Sequence, residues 1–177
     1  MAGRSDWLDG VLFCLASPLA YILGAVVVLA WFRPNWFGFS LPFERARLVV
    51  AGALAAGILA RGVVKEAIVL IYDRARPSEV WLELEPLLEH SLGASLPSGH
   101  SIFFFTLATV IFYYHRRLGS GLYLGAGLIG LARVAAGVHW LSDVLLGAGL
   151  GVLIGVGAFK LLEWLWKRLK TSRSVGF

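Results

Sequence analysis

The sequence predicts an all-α integral membrane protein, a helical bundle of about five transmembrane helices with a short amphipathic helix in an outer loop. Three observations predict it. The 177-residue chain is 58% hydrophobic and only 15% charged, where soluble domains average about 45–50% apolar and about 25% charged. Its mean hydropathy is +0.76. Its apolar residues gather into stretches close to the ~20 residues that a helix needs to cross the hydrocarbon core, with charged residues collected between them. This composition excludes a water-soluble globule and a disordered chain. The 6 prolines and 21 glycines are scattered among apolar stretches, which excludes a linker or collagen-like chain. The length suits about one domain, and no repeat or shift in composition divides residues 1–177.

The apolar segments run over about 10–32, 46–72, 99–115, 119–137 and 140–166. The first lacks a basic region followed by a short apolar run of ~7–15 residues, so it reads as a retained span rather than a signal peptide. It stops at Arg33-Pro34-Asn35, because proline removes an amide donor and disfavours helix at the residue before it. The second segment is interrupted by Arg61, Lys65 and Glu66. Charges at such depth face a bundle interior or water, and two readings stand: local pairing and snorkelling, or a helix end that opens onto a polar site.

Residues 73–98 form the one long polar stretch. Within it Val80, Trp81, Leu84, Leu87 and Leu88 recur at helical spacing opposite Glu79, Glu83, Glu85 and Glu89, the pattern of a short helix lying on a membrane surface, with Pro86 as a possible break. Small residues at four-residue spacing, Gly121 and Gly125 in the fourth segment and Gly147, Gly151 and Gly155 in the last, let membrane helices approach closely. The string Gly125-Ala126-Gly127-Leu128-Ile129-Gly130 matches a dinucleotide-binding pattern but lies inside an apolar helix with no preceding strand, so it is set aside. The lone Cys14, in an apolar run, reads as a small packing residue.

The net charge of +5 and pI near 9.7 reflect topology and contact with anionic headgroups rather than nucleic-acid binding, since the basic residues cluster at segment ends. One set of ends holds Arg33, Arg45, Arg47, His115, Arg116, Arg117, Lys167, Arg168, Lys170 and Arg173; the other holds Arg4, Arg74 and Arg76. The richer side is expected in the cytoplasm. The N-terminus and the 73–98 loop are then outside and the C-terminus inside.

Three polar strings fall at segment ends on that outer side: Asp73-Arg74-Ala75-Arg76-Pro77, Pro97-Ser98-Gly99-His100, and Arg133 followed by His139 and Asp143. Each suits an anionic phosphate. Arg76 and Arg133 carry planar forks of donors that match phosphate oxygens and stay charged. Pro97-Ser98-Gly99 opens a helix, so free amides, the Ser98 hydroxyl and the helix dipole form an anion cradle. His139 and Asp143 are four apart. A carboxylate there can hold one imidazole nitrogen protonated and leave the other as a nucleophile, with His100 available as general acid. Taken singly, each residue has a plainer role as a cap, an interfacial histidine or a headgroup contact, and His90 and His115 are left in that class. Two histidines, two arginines, an aspartate and a capped helix start converging on one side favour a site.

Arg76-Pro77, Pro97-Ser98-Gly99-His100 and Arg133-x5-His139-x3-Asp143 together resemble the three-part signature of the type 2 phosphatidic acid phosphatase family, membrane lipid phosphatases that share a site with vanadium haloperoxidases. The resemblance covers about residues 60–165. It implies a helical membrane bundle and a metal-independent phosphatase with no cofactor. It further implies a phosphohistidine intermediate on His139, His100 as acid, Asp143 as partner of His139, and Arg76, Arg133, Ser98 and Gly99 as phosphate ligands. Two positions depart from the family pattern. Where a lysine usually stands seven residues before the motif arginine this chain has Val69, and Ala132 replaces a serine. Lys65, one helical turn earlier, and Arg74 are the candidates to supply the missing charge, and reach favours Lys65.

The expected substrate is a lipid phosphate or diphosphate at the outer face of the cytoplasmic membrane, with undecaprenyl diphosphate favoured by analogy with carrier recycling. Phosphatidylglycerol phosphate, phosphatidic acid and lipid A 1-phosphate are the alternatives. A lipid phosphotransferase and a non-catalytic lipid-binding protein are the competing classes. The site's few carboxylates and histidines give no divalent-ion cage.

Overall fold

The computed structural model describes residues 5–81 and 94–174, and among them helices, turns and bends are present without a strand. The first expected span, read over 10–32, falls within a single rod Asp6–Phe32 that is kinked between α1 (Asp6–Ala16) and α2 (Pro18–Phe32). The break lies at Ser17, with φ −129° and ψ −67°. Pro18 causes it by disfavouring helical geometry at the residue before it, then opens α2 from the first helical position, where its missing N–H is harmless. The same rule acts at Pro34. There α2 has ended at Phe32, and a 3₁₀ turn over Pro34–Phe37 closes on Gly38 at φ 71°.

A single rod of 29 residues, Phe43–Ile71, contains α3 (Phe43–Leu59), a π-helical turn (Ala60–Lys65) and α4 (Glu66–Ile71). The π turn, which holds an extra residue in its hydrogen-bonded ring, carries Arg61 and Lys65, the two cations that interrupt this segment. The short α5 (Pro77–Val80) follows. The amphipathic helix expected over 79–89 falls largely on positions 82–93, outside the described residues. The chain continues through α6 (Gly99–Tyr114), α7 (Arg116–Ala135) and α8 (Leu141–Ser174).

The rods Asp6–Phe32, Phe43–Ile71, Arg116–Ala135 and Leu141–Thr171 are long and apolar enough to cross a membrane. The remaining one, α6, has 16 residues and a length of about 24 Å at 1.5 Å per residue, short of the ~30 Å core. It lies at the centre, packed on α3, α7 and α8, with Ile102, Leu107, Ala108, Val110 and Ile111 fully buried. A helix enclosed by protein is freed from matching the lipid thickness.

Close approach of α8 to α6 depends on its glycine stripe. A Cβ at Gly147, Gly151 or Gly155 would come within 2.9 Å of the Ser98 carbonyl oxygen, 2.7 Å of that of Ile102 and 2.5 Å of Thr109 Cβ respectively. In α7, Gly125 meets Leu23 of α2 whereas Gly121 faces open space, so the packing role expected of that pair belongs to Gly125. His115 caps α7 by accepting the Leu118 N–H at 3.1 Å.

At one end of the bundle Arg45 pairs with Glu163 at 2.5 Å and lies over the rings of Tyr114 and Trp166, while Arg47 lies over Trp31. The loop after α2, the α6–α7 turn and the far part of α8 therefore share an end, as the grouping of basic residues predicts. The three polar strings occupy the opposite one.

Candidate active site

The third string is shaped by the end of α7. The Gly137 N–H bonds the Val134 carbonyl at 3.0 Å and the Val138 N–H bonds that of Arg133 at 3.2 Å, with Gly137 at φ 74°: a Schellman motif, in which glycine adopts the left-handed conformation without a Cβ penalty. The chain then turns back through His139 into α8. Asp143, in the first turn of α8, accepts the Trp140 N–H at 2.9 Å, half of a capping box.

The other strings are tied to this turn. Arg76 Nη1 donates to the Val138 carbonyl at 2.9 Å, and the Arg76 N–H donates to Glu79 Oε2 at 3.0 Å. Arg74 Nη1 donates to Asp143 Oδ1 at 2.8 Å and to Ser142 Oγ at 2.7 Å, its guanidinium 5.2 Å from the Trp140 ring centroid. The Ser98 N–H bonds the Asp143 carbonyl at 3.1 Å, which fixes the start of α6 against the first turn of α8. The Ser98 side chain caps α6 through the Ser101 N–H at 3.5 Å. The four helix ends expected to meet do so.

His139 and Asp143 are both buried. His139 Nδ1 lies 2.9 Å from the Ser95 carbonyl oxygen and 3.6 Å from Asp143 Oδ2. The first is a hydrogen bond in which Nδ1–H donates; the second is longer than a good hydrogen bond. The proton on Nδ1 leaves Nε2 with its lone pair. Ser95 Oγ in turn donates to Asp143 Oδ2, and the Ser95 N–H bonds the Arg74 carbonyl at 2.8 Å. Ser95 is thus the hub of the site, and the sequence reading passed over it. Its signal was slight: a hydroxyl two residues before the motif proline, with neither charge nor periodicity. Burial pushes the His139 imidazole below its ordinary range, against the pull of the Asp143 carboxylate. Burial also lowers the Arg76 guanidinium, while Glu79 and Asp143 act in the opposite sense.

The remaining expected residues stand around the start of α6. The Lys65 stem passes Gly99, its Cδ 3.3 Å from where a Cβ on that glycine would lie, and Nζ pairs with Glu66 at 2.8 Å. Arg133 donates to the Ala16 carbonyl at 3.4 Å and keeps its buried Nε without a hydrogen-bond partner. His100 lies within electrostatic reach of Arg133, Arg61 and His139. Of the two stand-ins for the absent lysine, Lys65 lies beside the start of α6 and Arg74 is engaged with Asp143.

A model of the PAP2 superfamily matches residues 50–167, which include every one of these side chains. The chain belongs to the PAP2 superfamily. Among PAP2 relatives it is 31% identical to phosphatidylglycerophosphatase B of Bacillus subtilis strain 168, across 96% of this chain and 81% of that one. It is 29% identical to the bacitracin transport permease protein BcrC of Bacillus licheniformis, across 86% and 70%. The crystal structure of Aquifex aeolicus LpxE superposes with a TM-score of 0.68 at 25% identity, covering 89% of this chain and 88% of that one.

Proposed function

We propose that this PAP2 protein hydrolyses the terminal phosphate of a lipid phosphate or diphosphate at the outer face of the cytoplasmic membrane, with undecaprenyl diphosphate the favoured substrate. The observation that carries the reading is the His139 arrangement: Nδ1–H held by the Ser95 carbonyl at 2.9 Å leaves Nε2 as the nucleophile. Nε2 attacks phosphorus, and the P–N bond forms as the bridging P–O bond breaks. The departing oxygen takes a proton from His100. Water then attacks the phosphohistidine and releases inorganic phosphate. Arg76, Arg133, Lys65 and the first amides of α6, from Gly99 onward under the Ser98 cap, hold the phosphoryl oxygens, where fixed donors stabilise developing charge. Arg74, bonded to Asp143, positions the carboxylate rather than the phosphate. The outward orientation is supported by the excess of basic residues at the opposite end.

The test is release of inorganic phosphate by purified protein across undecaprenyl diphosphate, phosphatidylglycerol phosphate, phosphatidic acid and lipid A 1-phosphate, with and without an acceptor lipid. His139→Ala is expected to abolish turnover, and His100→Ala to lower it by ~10²–10⁴-fold, the usual loss with a general acid. Near-normal release from folded His139→Ala protein would sink the mechanism; phosphate appearing only on an acceptor lipid would make the protein a phosphotransferase.

A further inference from the structure

Arg61 is a cation to which the reading above gives no role. It projects from the π turn within a membrane-crossing rod, and among the described residues no carboxylate forms an ion pair with it. Charges at such depth face a partner or a water-filled cavity. Arg61 faces a cavity of about 530 Å³, which it lines with His100, Phe103, Phe104 and, from the first rod, Ala20 and Tyr21. Its Nε lies 3.7 Å from where a Cβ on Gly99 would stand, so the guanidinium sits beside the first turn of α6, and it is within electrostatic reach of His100 and Arg133.

The cavity reaches His100 but is not lined by His139. That asymmetry matters because attack and departure at phosphorus are in line. With His139 on one side, the leaving group departs on the other, toward the acid His100 and the cavity that Arg61 lines. We propose that Arg61 binds an anionic group on the departing half of the substrate and so favours leaving groups that carry a phosphate over plain alcohols. The inference rests on the phosphatase reading and adds a specificity residue to it. When a lipid diphosphate reacts, the bridging oxygen leaves as part of a lipid monophosphate. Its non-bridging oxygens stay anionic even when His100 protonates the departing oxygen, and a guanidinium fork pairs with them and stabilises the leaving group. When a lipid monophosphate reacts, the bridging oxygen takes its proton from His100 and leaves as a neutral alcohol, which offers Arg61 no anion.

The test compares wild type, Arg61→Gln and Arg61→Lys as full-length protein in detergent, on a polyprenyl diphosphate and the polyprenyl monophosphate of the same chain length, by kcat/KM for phosphate release. Arg61→Gln is expected to lower the diphosphate-to-monophosphate ratio by about tenfold or more, below the ~10²–10³ for a donor at the reacting centre itself. Arg61→Lys, which keeps the charge without the fork, is expected to hold a ratio between the two, and it carries the test alone if Arg61→Gln does not fold. Equal losses on both substrates would place Arg61 on the transferred phosphoryl group, and an unchanged ratio in either variant would remove it from recognition; both outcomes overturn the proposal. Wild-type protein that releases no phosphate from either lipid would instead overturn the phosphatase reading beneath it.

Discussion

Ser95 sets the tautomer of His139 and holds its carboxylate neighbour, with backbone and side chain together. Its carbonyl receives Nδ1–H at 2.9 Å, and its hydroxyl donates to Asp143 Oδ2. Ser95→Ala keeps the carbonyl and removes the hydroxyl, leaving the buried carboxylate one donor short. A hydrogen bond to a charged group is worth about 1.5–3 kcal/mol, so kcat is expected to fall by about 10–100-fold with little change in KM. A wild-type kcat would show that the hydroxyl does not position Asp143. Burial of His139 also sets a pH dependence. The native imidazole resists protonation, whereas the unfolded chain takes up a proton near ~6.5. The neutral side chain's contribution to stability is therefore complete above that value and is lost as pH falls through it toward the lower native pKa. As the proposed nucleophile His139 must be neutral, so the acid limb of the kcat/KM profile is expected below ~6.5; a limb at or above that value would contradict the burial. His100, His139, Asp143, Arg76 and Arg133 were legible as candidates because polar groups are scarce in this chain. Ser95 was not, since its importance comes from a tertiary approach that leaves no mark on local pattern.

Among the helices, the α6–α8 contact carries the site, because α6 brings Ser98, Gly99 and His100 and α8 brings Asp143. The stripe of Gly147, Gly151 and Gly155 was readable from its spacing, since four residues return to nearly the same helix face. The π turn was not, because nothing in Ala60–Lys65 distinguishes it from an α-helical turn by composition. The break at Ser17 was readable in principle by the rule applied at Pro34, but the apolar run on both sides of Pro18 hid it. Gly151 tests the contact. A methyl there would meet the Ile102 carbonyl oxygen at 2.7 Å and Phe105 Cβ at 2.9 Å, whereas one at Gly149 meets nothing within 4 Å. Gly151→Ala is expected to destabilise the protein by about 1–3 kcal/mol through overpacking, while Gly149→Ala stays neutral or gains up to about 1 kcal/mol from helix propensity. Thermal unfolding in one detergent compares the two. Equal melting temperatures would mean that α6 and α8 do not depend on this close approach.

Across the whole molecule, polarity is divided by function: one end gathers cations around aromatic rings, and the other gathers them around His139. At the first end Arg45 and Arg47 lie over Tyr114, Trp166 and Trp31, the setting of residues at a membrane interface. At the second, Arg74 and Arg76 are bonded to Asp143 and to the Val138 carbonyl, so they belong to the site, Arg76 buried and Arg74 partly exposed. The proposed orientation, with the aromatic end in the cytoplasm and the site outside, is what the bias in basic residues between the ends predicts. Thiol labelling checks this, with the exposed native thiol removed by Cys14→Ser. Asp73→Cys and Arg117→Cys alter exposed residues near opposite ends, and Asp73→Cys is expected to react with a membrane-impermeant reagent in intact cells, Arg117→Cys only after permeabilisation. The reverse pattern would move the site to the cytoplasm, where the proposed substrate would have to be presented from the inner leaflet.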